Sequence, residues 1–504
     1  IFLLAWFVHC APYPPETPET VATETILEAD LMKHLVHIAG DETHGRAMAS
    51  PGYDRAAEYL IQQLIRLGAQ PGWTDESGEK VWKQPVLLER FDYGSTTSIQ
   101  LSRGTEVLEL RHGDGMIILN PGVPEVLISG TPLFVGYGVE NPGIGWNDYS
   151  GSDLEGAIAV IMTEDPDPAR AGLNTRIGAI ETLEGTYERF ERLSGKGVRV
   201  ILAIPSQRDL WNWAATADRN SRMPLFPLER YADDQPPLLP VPWILLGREA
   251  VQFLFEDTGM DPFEGRTPLH GQPLAEIQAT VSMTARVTGT SCSNVIAEIP
   301  GRDPALRHEA VIISAHLDHM GETESGIFNG ANDDVSGCAA ILEVMEAVQK
   351  QPFQRTLIAV FTTGEEIGHF GSLHLVRNLP VDRGQIVAAL TLEHLGRIED
   401  LDDGLEIVAP SALIRRLKAE GTWLGDSPVL WGDIERDRSG KVRGSDTQSF
   451  RVAGIPVVLL GGGTFPEYHT PEDTVDRIDL PHLRFATRVA YTIVEELGNG
   501  SRLF

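Results

Sequence analysis

The feature that most restricts how this chain can fold is a set of four short, mostly apolar runs in its C-terminal half. They are Val311 to Ala315, Thr356 to Thr362, Ile386 to Leu392 and Ile455 to Leu460. None shows regular polar alternation, which is typical of strands buried on both faces of a sheet. Because loop and helix patterns separate them, the sequence predicts an α/β fold with a mixed, largely parallel sheet flanked by helices.

Two amphipathic helices are predicted from the spacing of apolar residues. One covers Asp54 to Leu67, with Pro51 near its start and Gly68 at its end. The other covers about Val335 to Val348 and carries Cys338 on its apolar face. We therefore expect Cys338 to be a buried helix residue rather than a reactive thiol.

The chain has 504 residues, about three times the ~150 of an average domain, so two or three compact units are expected. Between Thr131 and about Leu269, Pro and Gly turns separate isolated strands, which indicates a second, mixed α/β domain. We expect a flexible N-terminal segment over 1–25, the first part of the main domain over 26–125, an insertion over 126–285 and the rest of the main domain over 286–504.

The net charge restricts the partners. With 41 basic and 72 acidic residues, the formal charge is −31. Nucleic acid and anionic membranes are poor candidates, because their binding needs clustered Lys and Arg. A cationic or metal-bearing partner is easier to accommodate.

The N-terminus is apolar from Ile1 to Val8 and then rich in Pro and Thr. This pattern predicts the remnant of a signal peptide and a secreted or periplasmic protein; the alternative is an apolar terminus without a targeting role. No later segment approaches the ~18 uninterrupted apolar residues of a membrane-spanning helix, so no such helix is expected there.

Polar side chains follow each of the four predicted strands. His316 and Asp318 follow the first, Glu365 and Glu366 the second, Glu393 ends the third, and a glycine-rich turn after the fourth leads to Tyr468 and His469. The loop after the first strand adds Asn332, Asp333 and Asp334. Since ligands bind at the carboxyl ends of parallel strands, we expect these residues to meet at one sheet edge.

Their chemistry indicates a metal site. Two histidines and three carboxylates suit Zn²⁺, and Co²⁺ or Mn²⁺ would accept the same donors. One catalytic zinc needs only three protein ligands, so five can hold two metals if one carboxylate bridges. Asp318 is expected to accept the other ring N–H of His316, and Glu365 to act as general base.

An ordered set of motifs carries a family resemblance. The motifs are HLDHMG from His316, NGANDDVSG from Asn329, TGEEIGHFGS from Thr363, LEHLGR from Leu392, GSDTQSF from Gly444, YHTPEDT from Tyr468 and HGRAMASPGYDRAAEYL from His44. They resemble the co-catalytic zinc aminopeptidase family, which also contains glutamate carboxypeptidase, glutaminyl cyclases and the transferrin receptor. The middle segment from Gly130 to Ile161 is similar to the protease-associated domain that many relatives insert.

The resemblance implies a role for each matching residue. One zinc ion would be held by His316 and Glu393, a second by Glu366 and His469, and Asp333 would bridge them. Glu365 matches the family's base, and Tyr468 the tyrosine that steadies the oxyanion in some members. Glu393 is at a position where the family usually has Asp. Its side chain is longer by one methylene group, but the carboxylate that would bind the metal is the same.

The implied activity is that of a zinc-dependent aminopeptidase acting on peptides with a free N-terminus. Carboxypeptidase or dipeptidase action on the same site is the nearest alternative. A catalytically silent interaction protein is a further alternative, but it would be expected to have lost ligands, and none is lost here. The sequence does not determine the oligomeric state.

Overall fold

The computed structural model describes residues 20 and 22–503, except 142–145, 164–185, 212, 214–224, 228–240, 257, 264–270, 324, 398–403, 420–428, 437–441, 443 and 464. The predicted signal remnant, Ile1 to Val8, lies outside the described residues, so secretion stays a prediction. Within the segment 1–25 that is predicted to be flexible, Thr23–Thr25 forms a helical turn, and Ala22 and Thr23 are buried. None of the described helices is long and apolar enough to cross a membrane.

The chain divides into two compact units, Ile1–Val86 with Ser291–Phe504, and Leu87–Thr290. The sequence analysis places the insertion at 126–285, so its first border differs by almost forty residues. Strand Gly115–Asn120 pairs with Trp243–Leu246, and Ser98–Arg103 pairs with the start of Gln278–Ile299. Alternating apolar residues identify these strands but not the sheet that they join. That the second unit is a protease-associated domain stays a prediction.

The first unit is built on a mixed sheet, as the sequence predicts. Its strands, in spatial order, are Leu430–Asp433, Glu406–Ala409, Val457–Gly461, Ile386–Glu393, Ala310–His316, Thr356–Thr362, the end of Gln278–Ile299, and Gln70–Pro71. The four central strands, Val457–Gly461 to Thr356–Thr362, are parallel and buried along their length. They correspond to the four apolar runs, each predicted to within two residues.

Helices cover both faces of this sheet. They are Glu28–Ile38, Pro51–Leu67, Ser336–Lys350, Phe370–Arg377, Ser411–Leu417, Thr447–Val452 and Leu480–Asn499. Ser336–Lys350 and Leu480–Asn499 contact the central strand Ala310–His316. On the other face, Ile312, Ile358 and Phe450 belong to one apolar cluster.

Both predicted helices are confirmed. Pro51–Leu67 begins at Ser50, whose side chain accepts a hydrogen bond from the N–H of Tyr53, and it ends at Gly68 with φ 80°. Glycine suits this left-handed position because it has no Cβ. Cys338 is buried in the second helix.

The first unit also contains two short hairpins and several short helical turns. Trp73–Thr74 pairs with Lys80–Val81, and Gly321–Thr323 pairs with Gly326–Phe328. The turn Asp41–Arg46 precedes the helix Pro51–Leu67.

The second unit has its own mixed sheet and two apolar clusters. Its main strands are Leu133–Phe134, Ile158–Met162, Val200–Ile204, Trp243–Leu246, Gly115–Asn120, Glu106–His112, Ser98–Arg103 and Glu125–Gly130, and its helices are Thr186–Gly195, Gln207–Trp211 and Arg248–Phe255. Val160 and Leu202 lie in one cluster, and their neighbours Ala159 and Ile201 in the other. Since successive side chains point to opposite faces of a strand, this sheet is buried on both sides.

We expect Ile358→Ala to lower the free energy of unfolding by about 2–5 kcal/mol, because it removes a fully buried side chain from the central sheet and leaves a cavity. Urea unfolding followed by circular dichroism measures the change. Ile65→Ala is the control, since Ile65 is 56% exposed and should cost less than about 0.5 kcal/mol. Equal midpoints for the two variants would contradict this account of the core.

Candidate metal centre

The structure brings the five predicted ligands together at one edge of the sheet. His316 and Glu393 are the last residues of their strands, and Glu366 follows Thr356–Thr362. His469 lies in the loop after Val457–Gly461, and Asp333 lies in the turn that precedes the helix Ser336–Lys350. Parallel strands deliver all their carboxyl ends to the same side, which is why residues far apart in the chain meet here.

Asp333 occupies the middle of the cluster. Its Oδ1 lies 3.0 Å from Nε2 of His316, and its Oδ2 lies 3.2 Å from Nε2 of His469. Glu393 is on the first side, 3.9 Å from His316 Nε2, and Glu366 is on the second, 3.0 Å from His469 Nε2. The two oxygens of one carboxylate therefore face two different groups of donors.

Several buried atoms of this cluster lack a hydrogen-bond partner among the described residues. They are Oδ2 of Asp333, Oε1 of Glu366, Oε1 of Glu393 and Nε2 of His469. Buried polar atoms are rarely left unsatisfied in folded proteins unless water or an ion binds them. The donor set of imidazole and carboxylate groups fits zinc.

Two sets of three side chains have their ligand atoms within 4.8 Å of one another. One is His316, Asp333 and Glu366, and the other is His316, Asp334 and Glu393. Asp334 is not a predicted ligand, and its Oδ1 accepts hydrogen bonds from the N–H groups of Gly337 and His394. The cluster thus offers enough donors for more than one ion.

The electrostatics of the cluster favour a bound cation. Burial raises the pKa of Asp318 to about 8 and that of Asp334 to about 7. Burial also raises the pKa of Glu393 well above its usual value, and the neighbouring Asp334 carboxylate raises it further. Burial alone would lower the pKa of His469, but the Glu366 carboxylate outweighs it and raises that pKa to about 10. The raised pKa values of Asp318, Asp334 and Glu393 mean that a nearby cation would stabilise the charged forms of these three carboxyl groups.

Asp318 differs in detail from the expectation. Nδ1 of His316 donates a hydrogen bond to the backbone carbonyl oxygen of Asp318 at 3.0 Å, not to its carboxylate. The tautomer of His316 is still fixed, leaving Nε2 facing Asp333. The Asp318 carboxylate instead accepts hydrogen bonds from the backbone N–H groups of Glu365 and Glu366, at 3.2 and 3.4 Å. It therefore positions the acidic pair, because Asp318 follows the strand Ala310–His316 and reaches the loop after the adjacent strand Thr356–Thr362.

Glu365 and Tyr468 border the same cluster. The Glu365 carboxylate lies 3.3 Å from Nε2 of His369 and is only 12% exposed. The Tyr468 ring stacks on His469 with 3.8 Å between ring centroids, and 43% of Tyr468 is exposed. The Tyr468 ring thus adjoins the predicted ligand His469, and Glu365 directly precedes the predicted ligand Glu366 in the sequence.

Sequence reasoning missed two histidines at this centre. Nδ1 of His319 lies 2.6 Å from Oε1 of Glu366, and Nε2 of His394 lies 3.4 Å from Oδ1 of Asp333. Each follows a recognised residue within its motif, HLDHMG or LEHLGR. A second histidine inside a ligand motif was the available signal.

Comparisons with known proteins agree with this geometry. Residues 294–494 match the model of peptidase family M28. Leupeptin-inactivating enzyme 1 of Streptomyces exfoliatus is 31% identical over 195 residues, which are 37% of this chain and 38% of that protein. The chain covers less than two thirds of the length of the curated relatives that it matches first.

Solved structures share the fold over nearly the whole chain. An aminopeptidase from Aneurinibacillus sp. strain AM-1 superposes with a TM-score of 0.61 at 20% identity, covering 96% of this chain and 97% of that one. BSAP, a zinc aminopeptidase from Bacillus subtilis, gives a TM-score of 0.57 at 16% identity and covers 95% and 97%. At this identity the likeness establishes the fold.

Arg46 holds the loops of the centre in place. Sequence reasoning did not assign it this role, although it belongs to the N-terminal motif that begins at His44. Its fully buried guanidinium donates hydrogen bonds to the carbonyl oxygens of Leu317 at 2.8 Å and Asn329 at 2.7 Å. It also reaches the carbonyl oxygens of Ile38 and Gly330. One side chain thus ties together the loops that carry His316 and Asp333.

Arg46→Met should lower the free energy of unfolding by about 3 kcal/mol or more, because it leaves several buried carbonyl oxygens unsatisfied. It should also weaken zinc binding, since both ligand loops lose an anchor. Urea unfolding and calorimetric zinc titration measure the two effects. The exposed Arg55→Met is the control; a similar result for both variants would show that Arg46 holds nothing in place.

Proposed function

We propose that the chain, whose residues 294–494 match the model of peptidase family M28, is a zinc-dependent exopeptidase that removes N-terminal residues from peptides. The observation that carries this proposal is the position of Asp333, whose two carboxylate oxygens face His316 and His469 separately. A single carboxylate between two donor groups supports a centre of two ions. His316 and Glu393 would hold one ion, Glu366 and His469 the other, and Asp333 both.

Zinc ions bound there would polarise the carbonyl of the scissile bond and lower the pKa of a water molecule. Glu365 would take the proton from the attacking water and pass it to the amine that leaves. What supports this role is its position next to the ligand Glu366, with its backbone N–H fixed by Asp318. Tyr468 would donate a hydrogen bond to the oxyanion, an interaction that its exposed position beside His469 would allow.

A pocket of about 180 Å³ adjoins Glu393, His394 and Tyr468. Val408, Leu459 and the glycines Gly461, Gly462 and Gly463 line it, together with Glu406. Its size is below the ~300–1,000 Å³ of pockets that enclose whole ligands. We infer that it takes one side chain, that of the first residue of the peptide.

The charges near the centre favour a substrate amine over a substrate carboxylate. The loops 316–334 and 363–372 contain acidic residues and neither Lys nor Arg. Arg46 is buried and bound to carbonyl oxygens, and Arg397 forms an ion pair with Glu467 at 2.6 Å. A carboxylate buried without a basic partner would cost several kcal/mol. This supports an aminopeptidase over a carboxypeptidase.

The proposal is tested with one leucyl peptide in three forms: free, N-acetylated and C-amidated. We expect the free and amidated forms to be shortened from the N-terminus and the acetylated form to resist, as followed by mass spectrometry. Elemental analysis should find two zinc ions per chain, and chelation should abolish cleavage. Cleavage of the acetylated form combined with protection by amidation would indicate a carboxypeptidase instead, and a saturating single ion would exclude the two-metal centre.

Glu365→Gln should reduce kcat by about 100-fold or more while leaving zinc content unchanged, because the amide cannot accept the proton. Glu366→Gln should lower zinc affinity, because a ligand oxygen loses its charge. Steady-state kinetics and zinc titration of both variants separate the two roles of this adjacent pair. Equal loss of zinc from both would show that base and ligand are wrongly assigned within it.

A further inference from the structure

His319 is a buried histidine of the metal centre that is not among the predicted ligands. Its side chain is fully buried, and neither ring nitrogen has a hydrogen-bond partner among the described residues. Nδ1 nevertheless lies 2.6 Å from Oε1 of Glu366 and 3.7 Å from Oδ2 of Asp333. Nδ1 thus approaches two carboxylates closely.

The ring is held firmly in this position. A Cβ on Gly330 would come within 2.5 Å of the His319 ring carbons, so only glycine allows the ring to lie where it does. On another side, the His469 ring meets it edge to face with centroids 5.8 Å apart. The backbone N–H of His319 donates to the carbonyl oxygen of Arg46. Tight packing therefore directs Nδ1 toward Glu366 and Asp333.

Burial without a partner is not by itself the argument, as His482 shows. Both ring nitrogens of His482 are also buried and unpartnered among the described residues, but it forms no ion pair with a described carboxylate. Burial lowers the pKa of His482 to about 4, as expected for an uncharged packing residue. His394 differs in another way, because it is partly exposed and lines the pocket.

We propose that His319 binds, through Nδ1, the ion held by Glu366 and His469. This inference rests on the two-metal centre proposed above. Ligand atoms around a tetrahedral zinc are about 3.3 Å apart at ordinary bond lengths. The separations of 2.6 and 3.7 Å for His319, and of 3.2 and 3.0 Å for His469, lie around this value.

The two ions would then differ in their coordination. The ion at His319 would have four protein ligands, Asp333, Glu366, His469 and His319, as in a closed structural site. The ion at His316 would have three, His316, Asp333 and Glu393, and would keep a position for water or substrate. The first ion should therefore bind more tightly, and the second should be the one that exchanges ligands.

The test is titration of the metal-free protein with Zn²⁺ and, separately, with Co²⁺, whose visible absorption depends on its coordination. Wild type should bind two ions in steps of unequal affinity. His319→Phe keeps a ring without the nitrogens and should weaken the tighter step by about 100-fold or more, with a changed spectrum for the first Co²⁺. His319→Asn retains a donor near Nδ1 and should recover part of the affinity. His482→Phe is the matched control and should leave both steps unchanged.

Two unchanged steps and an unchanged Co²⁺ spectrum in His319→Phe would overturn the inference and make His319 a packing residue. If that variant does not fold, as judged by circular dichroism, His319→Asn decides. A weaker tighter step with a changed Co²⁺ spectrum supports ligation by His319, whereas wild-type affinity with the wild-type spectrum overturns it. A wild-type protein that binds fewer than two ions would refute the two-metal centre itself.

Discussion

The centre depends on one constraint: carboxylates that are buried together must be balanced by positive charge. Asp318, Asp333, Asp334 and Glu393 are all buried at the same sheet edge. Moving them out of water is costly unless cations or donors compensate. The histidines around Asp333 supply part of this compensation, and bound zinc would supply the rest. Several buried carboxylate oxygens and imidazole nitrogens of the centre have no hydrogen-bond partner among the described residues, which is consistent with this requirement.

Hydrogen bonds between buried charged side chains and the backbone hold the loops of this cluster in place. Arg46 binds the carbonyl oxygens of the two ligand loops, and Asp473 accepts hydrogen bonds from the N–H groups of Asn332 and Asp333. Asp318 does the same for Glu365 and Glu366. Because the loops are fixed through their main chain, the side chains that they carry remain available for metal and substrate. A mutation in these supports would act on the chemistry through position alone.

The second histidine of HLDHMG, His319, and the histidine of LEHLGR, His394, lie in different surroundings within the centre. His319 lies in the buried interior beside Glu366, whereas His394 lies at the pocket beside Tyr468. His319 is fully buried, whereas His394 is partly exposed and lines the pocket that a substrate side chain would enter. This difference in burial would let the ion beside His319 bind tightly while the ion beside His316 binds water or substrate.

The sequence by itself determined the central sheet, the helices Pro51–Leu67 and Ser336–Lys350, and the meeting of His316, Asp333, Glu366, Glu393 and His469. These follow from local patterns, since an apolar run fixes a buried strand and a parallel sheet gathers the carboxyl ends of its strands. The border of the inserted unit, the carbonyl partner of His316 and the positions of Arg46, His319 and His394 were decided only by the tertiary structure. Each depends on contacts between distant segments, and local periodicity carries no information on which strand pairs with which sheet or which loop a buried side chain reaches.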